Sequence, residues 1–177
     1  MKTKRYIALL RGINVGGNHK VPMSQLSEAM GQLGFSNILT LLNTGNVIFE
    51  APEKNASEAV IERHLQDVFG FPIPVILRTF DELSELVETD PFKGIAVTKD
   101  TRLYVTFLKS KPTMQLPLPY VSADESFQII FVSNTAVLSV LDLSIGKTVK
   151  GMDDLEKLFG KEVTTRNWNT VIKLANK

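Results

Sequence analysis

Asn37-Ile38-Leu39-Thr40-Leu41-Leu42-Asn43-Thr44-Gly45-Asn46-Val47-Ile48-Phe49-Glu50 is the stretch that decides the fold. Two apolar runs, 37–43 and 46–50, meet at Asn43-Thr44-Gly45-Asn46, where Gly45 can take a positive φ and the asparagines favour a turn. This spacing predicts a β-hairpin. On its N-terminal side Met23, Leu26, Met30 and Leu33 recur at helical spacing over 22–33, Pro22 suits the first turn, and Gly34 supplies a stop. Residues 4–11 precede that helix as an apolar strand. On the C-terminal side Ile61, Leu65, Val68 and Phe69 share one face of a helix over 57–69, ending at Gly70. Ile73, Val75 and Leu77 then alternate through a strand over 73–78. The order is βαββαβ, the ferredoxin-like plait.

The second half repeats the pattern. A short helix over 80–88 opens with Thr79 and Glu82 at capping-box spacing. Asp90-Pro91 begins a polar, irregular linker running to Thr101. Strands are expected over 102–109, 126–133 and 136–141, the last two joined at Ser133-Asn134-Thr135. The prolines in 112–125 leave room for no more than one helical turn, near Met114. A helix over 152–159, stopped by Gly160, a short strand over 162–165 and a final helix over 168–176 complete the chain. That helix is expected to bury Trp168, Val171, Ile172 and Ala175. Phe69-Gly70 followed by Arg78-Thr79-Phe80 matches Phe159-Gly160 followed by Arg166-Asn167-Trp168, with a two-residue difference in spacing. The expected fold class is α+β: two ferredoxin-like (βαββαβ) halves, each an antiparallel sheet with helices on one face. The expected domains are 1–90, carrying the glycine-rich loop, and 96–177, which includes the C-terminal helix.

Composition narrows the functional classes. With 44% hydrophobic and 22% charged residues the chain is ordinary globular protein. A formal net charge of +1 exerts no global pull on nucleic acid or anionic lipid. There is no cysteine, so thiolate chemistry, disulfides and cysteine zinc sites are excluded. Two histidines, His19 in a loop and His64 on the solvated side of a helix, form no metal or catalytic constellation, and no metal or cofactor is expected. No apolar run is long enough for a signal peptide or a membrane span, so a cytoplasmic location is expected. Asp142, Asp153 and Asp154 flank Gly146-Lys147-Thr148. Asp153 and Asp154 read as N-terminal helix charges. The Walker pattern fails there, because the first glycine position is Leu141.

Two polar clusters exceed what turns and caps require. Arg11-Gly12-Ile13-Asn14-Val15-Gly16-Gly17, continuing through Asn18, His19 and Lys20, follows a strand and precedes a helix. That frame presents backbone N–H groups and a positive dipole end to an anion. Its plainer reading is a connection needing positive φ at several positions. Thr165-Arg166-Asn167-Trp168-Asn169-Thr170 is the second cluster. Asn167 can cap the last helix and Trp168 can pack beneath it, while Arg166 suits a phosphate, a carboxylate or a structural ion pair. The candidate ligand-binding residues are Arg11, Asn14, Gly16, Gly17, Lys20, Asn43, Asn46, Arg166 and Asn167.

Several of these stretches carry a resemblance. Ala8-Leu9-Leu10 and the Arg11–Gly17 run, Lys20-Val21-Pro22-Met23, Leu33-Gly34-Phe35, Thr44-Gly45-Asn46-Val47-Ile48-Phe49 and Thr164 through Val171 together resemble a bacterial family called domain of unknown function 1697. The resemblance implies a duplicated ferredoxin-like architecture and implies no activity. Thr44 stands where the family more often has serine, and Leu41 where it more often has tyrosine. The expectation is therefore an uncharacterised protein that binds a small anionic or nucleotide-like ligand at the glycine-rich loop. One alternative is a ligand-free interaction module using a sheet face or edge, with oligomeric state left open. The other is RNA binding through the sheet face, for which Tyr104 is the one available aromatic and Phe127 and Phe131 are expected in the core. No reaction is assigned.

Overall fold

The computed structural model describes residues 2–177 and contains two compact units, up to Glu85 and Leu86–Lys177. The first unit runs β1 (Thr3–Leu10), α1 (Met23–Gln32), β2 (Ser36–Leu41), β3 (Asn46–Pro52), a 3₁₀ turn, α2 (Glu58–Phe69) and β4 (Val75–Thr79). Its sheet is antiparallel with strand order β2-β3-β1-β4. Tyr6, Ala8, Leu10, Val47, Phe49 and Val75 form the floor of a core that α1 covers with Leu26, Ala29 and Met30 and α2 with Ile61 and Leu65. Phe49 sits at its centre, fully buried and stacked on Phe35 at 4.4 Å and on Tyr6 at 5.7 Å. Such pairs add about 0.5–1.5 kcal/mol beyond the area they bury. Val68, expected on the inner face of α2, is 43% exposed, so the apolar stripe ends at Leu65 and the partly buried Phe69.

The outer edge of this sheet at β4 is closed from within. Glu62 Oε1 accepts from Val75 N–H and Glu58 Oε1 from Leu77 N–H, each at 2.8 Å. Two carboxylates of α2 thereby satisfy donors that an edge strand would leave for another chain. β4 then passes into α3 (Phe80–Glu88) through the expected capping box. Glu82 Oε2 accepts from Thr79 N–H at 2.7 Å, and Thr79 Oγ1 accepts from Glu82 N–H at 3.2 Å.

The second unit runs β5 (Thr101–Leu108), β6 (Tyr120–Val121), β7 (Phe127–Val132), β8 (Ala136–Asp142), α4 (Thr148–Phe159), β9 (Val163–Asn167) and α5 (Trp168–Ala175). The antiparallel sheet has order β6-β7-β8-β5-β9. No helix joins β5 to β7; the proline-rich segment instead contributes the two-residue edge strand β6. The linker after α3 is a run of turns anchored by Phe92, which meets the Trp168 ring edge-on at 5.2 Å. α4 begins four residues earlier than its periodicity suggests, and Gly151 is a packing position within it. A Cβ there would lie 3.2 Å from the Phe127 ring. Asp153 and Asp154 consequently lie beyond the first turn, and Asp154 pairs with Lys157 at 3.8 Å. α5 buries Trp168, Val171 and Leu174, with Ile172 and Ala175 only partly covered.

One network at the start of α4 fixes a pH dependence. Asp124 accepts hydrogen bonds from Ser122 Oγ, Ser126 Oγ and Ser126 N–H, and it pairs with Lys150. The Lys150 ammonium, then the two serine hydroxyls, hold the Asp124 carboxyl well below the usual carboxylate range. A depressed carboxyl stabilises the fold above its unfolded pKa of about 4, and the stabilisation fades as pH falls below that value. The melting temperature of Asp124→Asn should therefore lie below that of the wild-type chain at pH 7, with the gap narrowing below about pH 4. A gap independent of pH contradicts this role.

Candidate functional site

The glycine-rich segment is a miniature hairpin. Asn18 N–H donates to Val15 O and Asn14 N–H to His19 O, each at 3.1 Å. Gly16 and Gly17 have φ of +60° and +77°, so Val15-Gly16-Gly17-Asn18 is a turn with two left-handed central residues. That conformation selects Gly-Gly. The plainer reading thus accounts for both glycines.

Asn14 holds this hairpin in place. Its amide donates to Val21 O at 3.0 Å and to Asn43 O at 2.7 Å, and its Oδ1 accepts from Val21 N–H at 2.8 Å. Both amide hydrogens are therefore committed within the protein. On the other side His19 stacks on Phe71 at 4.4 Å, and Arg11 N–H donates to Pro74 O at 2.9 Å. Asn46 is fully buried and donates to Leu41 O and Thr44 Oγ1, which stitches the β2–β3 turn. Gly45 of that turn accepts from Leu10 N–H at 2.8 Å. Asn14 and Asn46 are thus framework residues, a role that their side-chain chemistry allows and that local sequence does not reveal.

Between the hairpin, the start of α1 and the β2–β3 turn lies an open cleft of about 400 Å³. Asn14, Gly17, Lys20 and Asn43 line it together with Val21, Pro22 and Met23. Four of the nine candidate residues are thereby brought to one place. α1 starts there with Pro22 at the N-cap, no side-chain cap and no acidic residue in its first turn. Leu26 N–H makes the first helical bond, to Pro22 O, so the N–H groups of Met23, Ser24 and Gln25 lack intrahelical acceptors. Lys20 and Asn43 are exposed at the rim.

Arg166 and Asn167 belong to the second unit. Asn167 caps α5, its Oδ1 accepting from Asn169 N–H at 3.0 Å. Arg166 is 7% exposed, and its Nη1 donates to Thr164 Oγ1 at 2.7 Å and Thr165 O at 3.0 Å. Burial pushes its guanidinium down to about 10. Other expectations of exposure are reversed. Tyr104 packs on the helix-side core of its sheet, so it is not presented on the opposite face. Phe131, expected in the core beside Phe127, is 50% exposed. A bulge pairs Ile129 with Ser139 but Phe131 with Leu138, which turns Phe131 to the other face. His64 is half-buried, with Nε2 shielded from solvent, rather than on a solvated face. Among the described residues no group of three or more His, Asp and Glu side chains is placed to hold a metal ion.

The family described as protein of unknown function, DUF1697, matches residues 3–132, which include the hairpin, α1 and the β2–β3 turn. The chain belongs to this DUF1697 family. A solved structure, that of the conserved bacterial protein SP0830 from Streptococcus pneumoniae, shares 22% identity with it. The likeness covers 99% of this chain and 98% of that one, with a TM-score of 0.70. At that identity the two share a fold, and no activity passes between them. No curated protein matches the chain. No helix among the described residues is long and apolar enough to cross a membrane.

Proposed function

We propose that the first unit of this DUF1697 protein binds a small anionic or nucleotide-like ligand in the cleft beside the glycine hairpin. The observation that carries the reading is the convergence of Lys20, Gly17 and Asn43 on the uncapped start of α1. A helix N-terminus favours negative charge by about 0.3–1 kcal/mol, and its free N–H groups donate to phosphate or carboxylate oxygens. The walls contributed by Val21, Pro22 and Met23 are apolar, which suits a ligand with a ring or carbon skeleton behind its anionic group. Asn14 keeps the hairpin and the β2–β3 turn at fixed separation, so the cleft is preorganised.

Thermal unfolding with inorganic phosphate and a panel of nucleoside phosphates tests this reading. At least one ligand at a hundredfold excess over its Kd should stabilise the chain by about 2.7 kcal/mol. Lys20→Ala, an exposed position, should leave the unliganded melting temperature unchanged and weaken that ligand about tenfold. A panel that stabilises neither protein contradicts the proposal.

A further inference from the structure

The two units share internal hydrogen bonds that align them residue by residue. Leu10 N–H donates to Gly45 O at 2.8 Å, and Leu108 N–H to Thr135 O at 2.9 Å. Arg11 N–H donates to Pro74 O, and Lys109 N–H to Glu162 O. Ile7 pairs with Arg78 and Leu10 with Val75 in one sheet; Val105 pairs with Arg166 and Leu108 with Val163 in the other. Against that alignment one difference stands out. Four residues, 71–74, connect Gly70 to Val75, whereas only Lys161 and Glu162 connect Gly160 to Val163. In the first unit Ile73 of this connection is buried in the core with Ile13 and Val21, and Phe71 packs partly buried against that core. The second unit has no such residues, and a hollow of about 330 Å³ remains at the corresponding place.

Leu108, Leu158, Phe159 and Val163 make its apolar floor. Its rim carries one cation, Lys111, one anion, Glu162, and the hydroxyls of Ser110 and Thr113. α4 also ends here. Gly160 N–H makes the last helical bond, to Glu156 O, so the carbonyls of Leu158 and Phe159 lie past the final α-helical acceptor. That end of a helix favours a positive group. The lining therefore supplies acceptors for an ammonium, donors for a carboxylate and apolar side chains. We propose that it is a binding site for a free apolar α-amino acid, with the ammonium toward Glu162 and the end of α4, the carboxylate toward Lys111, and the side chain over Phe159. The volume is at the small end of ligand sites, which begin near about 300 Å³. This site does not depend on the cleft in the first unit.

An amide-resolved NMR titration of the full chain decides it. L-Phenylalanine and L-leucine should give saturable shifts at Ser110, Lys111, Gly160 and Glu162. Phenethylamine and 3-phenylpropionate, each lacking one charge, should bind at least about tenfold more weakly. Lys111→Met and Glu162→Gln, both at exposed positions, should each lower phenylalanine affinity by a similar factor without shifting the melting temperature. No saturable shift up to about 10 mM overturns the site. Equal binding of the one-charge analogues, or indifference to both substitutions, overturns the zwitterion assignment.

Discussion

Gly45→Ala should lower the stability of the chain by about 3 kcal/mol. Two costs combine. Gly45 has φ of +88°, where an L side chain costs about 1–2 kcal/mol. The added Cβ would also lie 2.8 Å from both Leu10 Cβ and Ile13 Cδ1. Both neighbours are buried, and Leu10 Cβ cannot move without its strand. Overpacking of this kind costs about 1–3 kcal/mol. The melting temperature should fall by roughly 10 °C. Gly16→Ala is the internal comparison, because its φ is also positive but nothing lies within 4 Å of the added atom. It should lose only about 1 kcal/mol. Equal losses at the two positions would mean that the turn does not press on the root of the hairpin as described.

Asn14→Ala should cost nearly as much, again about 3 kcal/mol, for a different reason. Three hydrogen bonds vanish, and Val21, which is 1% exposed, loses the acceptor for its N–H. A stranded buried donor costs about 1–3 kcal/mol beyond the bond itself. Alanine must also hold the φ of +56° that asparagine tolerates. Asn14→Gly separates the terms, since glycine keeps the backbone angle and loses only the bonds. It should be about 1 kcal/mol less destabilised than the alanine variant. Hydrogen exchange at Val21 should accelerate in both, because its acceptor is gone in both. Slow exchange at Val21 in Asn14→Ala would contradict the clamp.

These two residues also mark where sequence reading stops. Hairpin, capping box and helix C-terminal glycines are local signals: each depends on residues within a few positions of one another, so Thr79–Glu82 and the turn before Asn46 could be located from spacing alone. Asn14 reaches Asn43 across 29 positions, and no pattern in either segment announces that bond. Asn14 and Asn46 therefore looked like ligand donors when their side chains are occupied in holding the turns. Apolar spacing opens the helix at Met152 and leaves Gly151 outside it, yet Gly151 lies within α4, where an added Cβ would meet the Phe127 ring at 3.2 Å. Strict alternation puts Phe131 on the core face with Phe127, and a one-residue bulge reverses it. Lys20 and the start of α1 were legible as a candidate site because strand, glycine turn and helix follow in direct succession.

Anion binding at the hairpin, Lys20 and the first turn of α1 is the proposal on which the function rests. A titration of the full chain with the best-stabilising nucleoside phosphate, followed at backbone amides, tests it most directly. Saturable shifts should concentrate at Gly17, Lys20, Met23, Ser24 and Gln25, and in Lys20→Ala should need about tenfold more ligand to saturate. Shifts confined to other parts of the chain, or unchanged in Lys20→Ala, would contradict it.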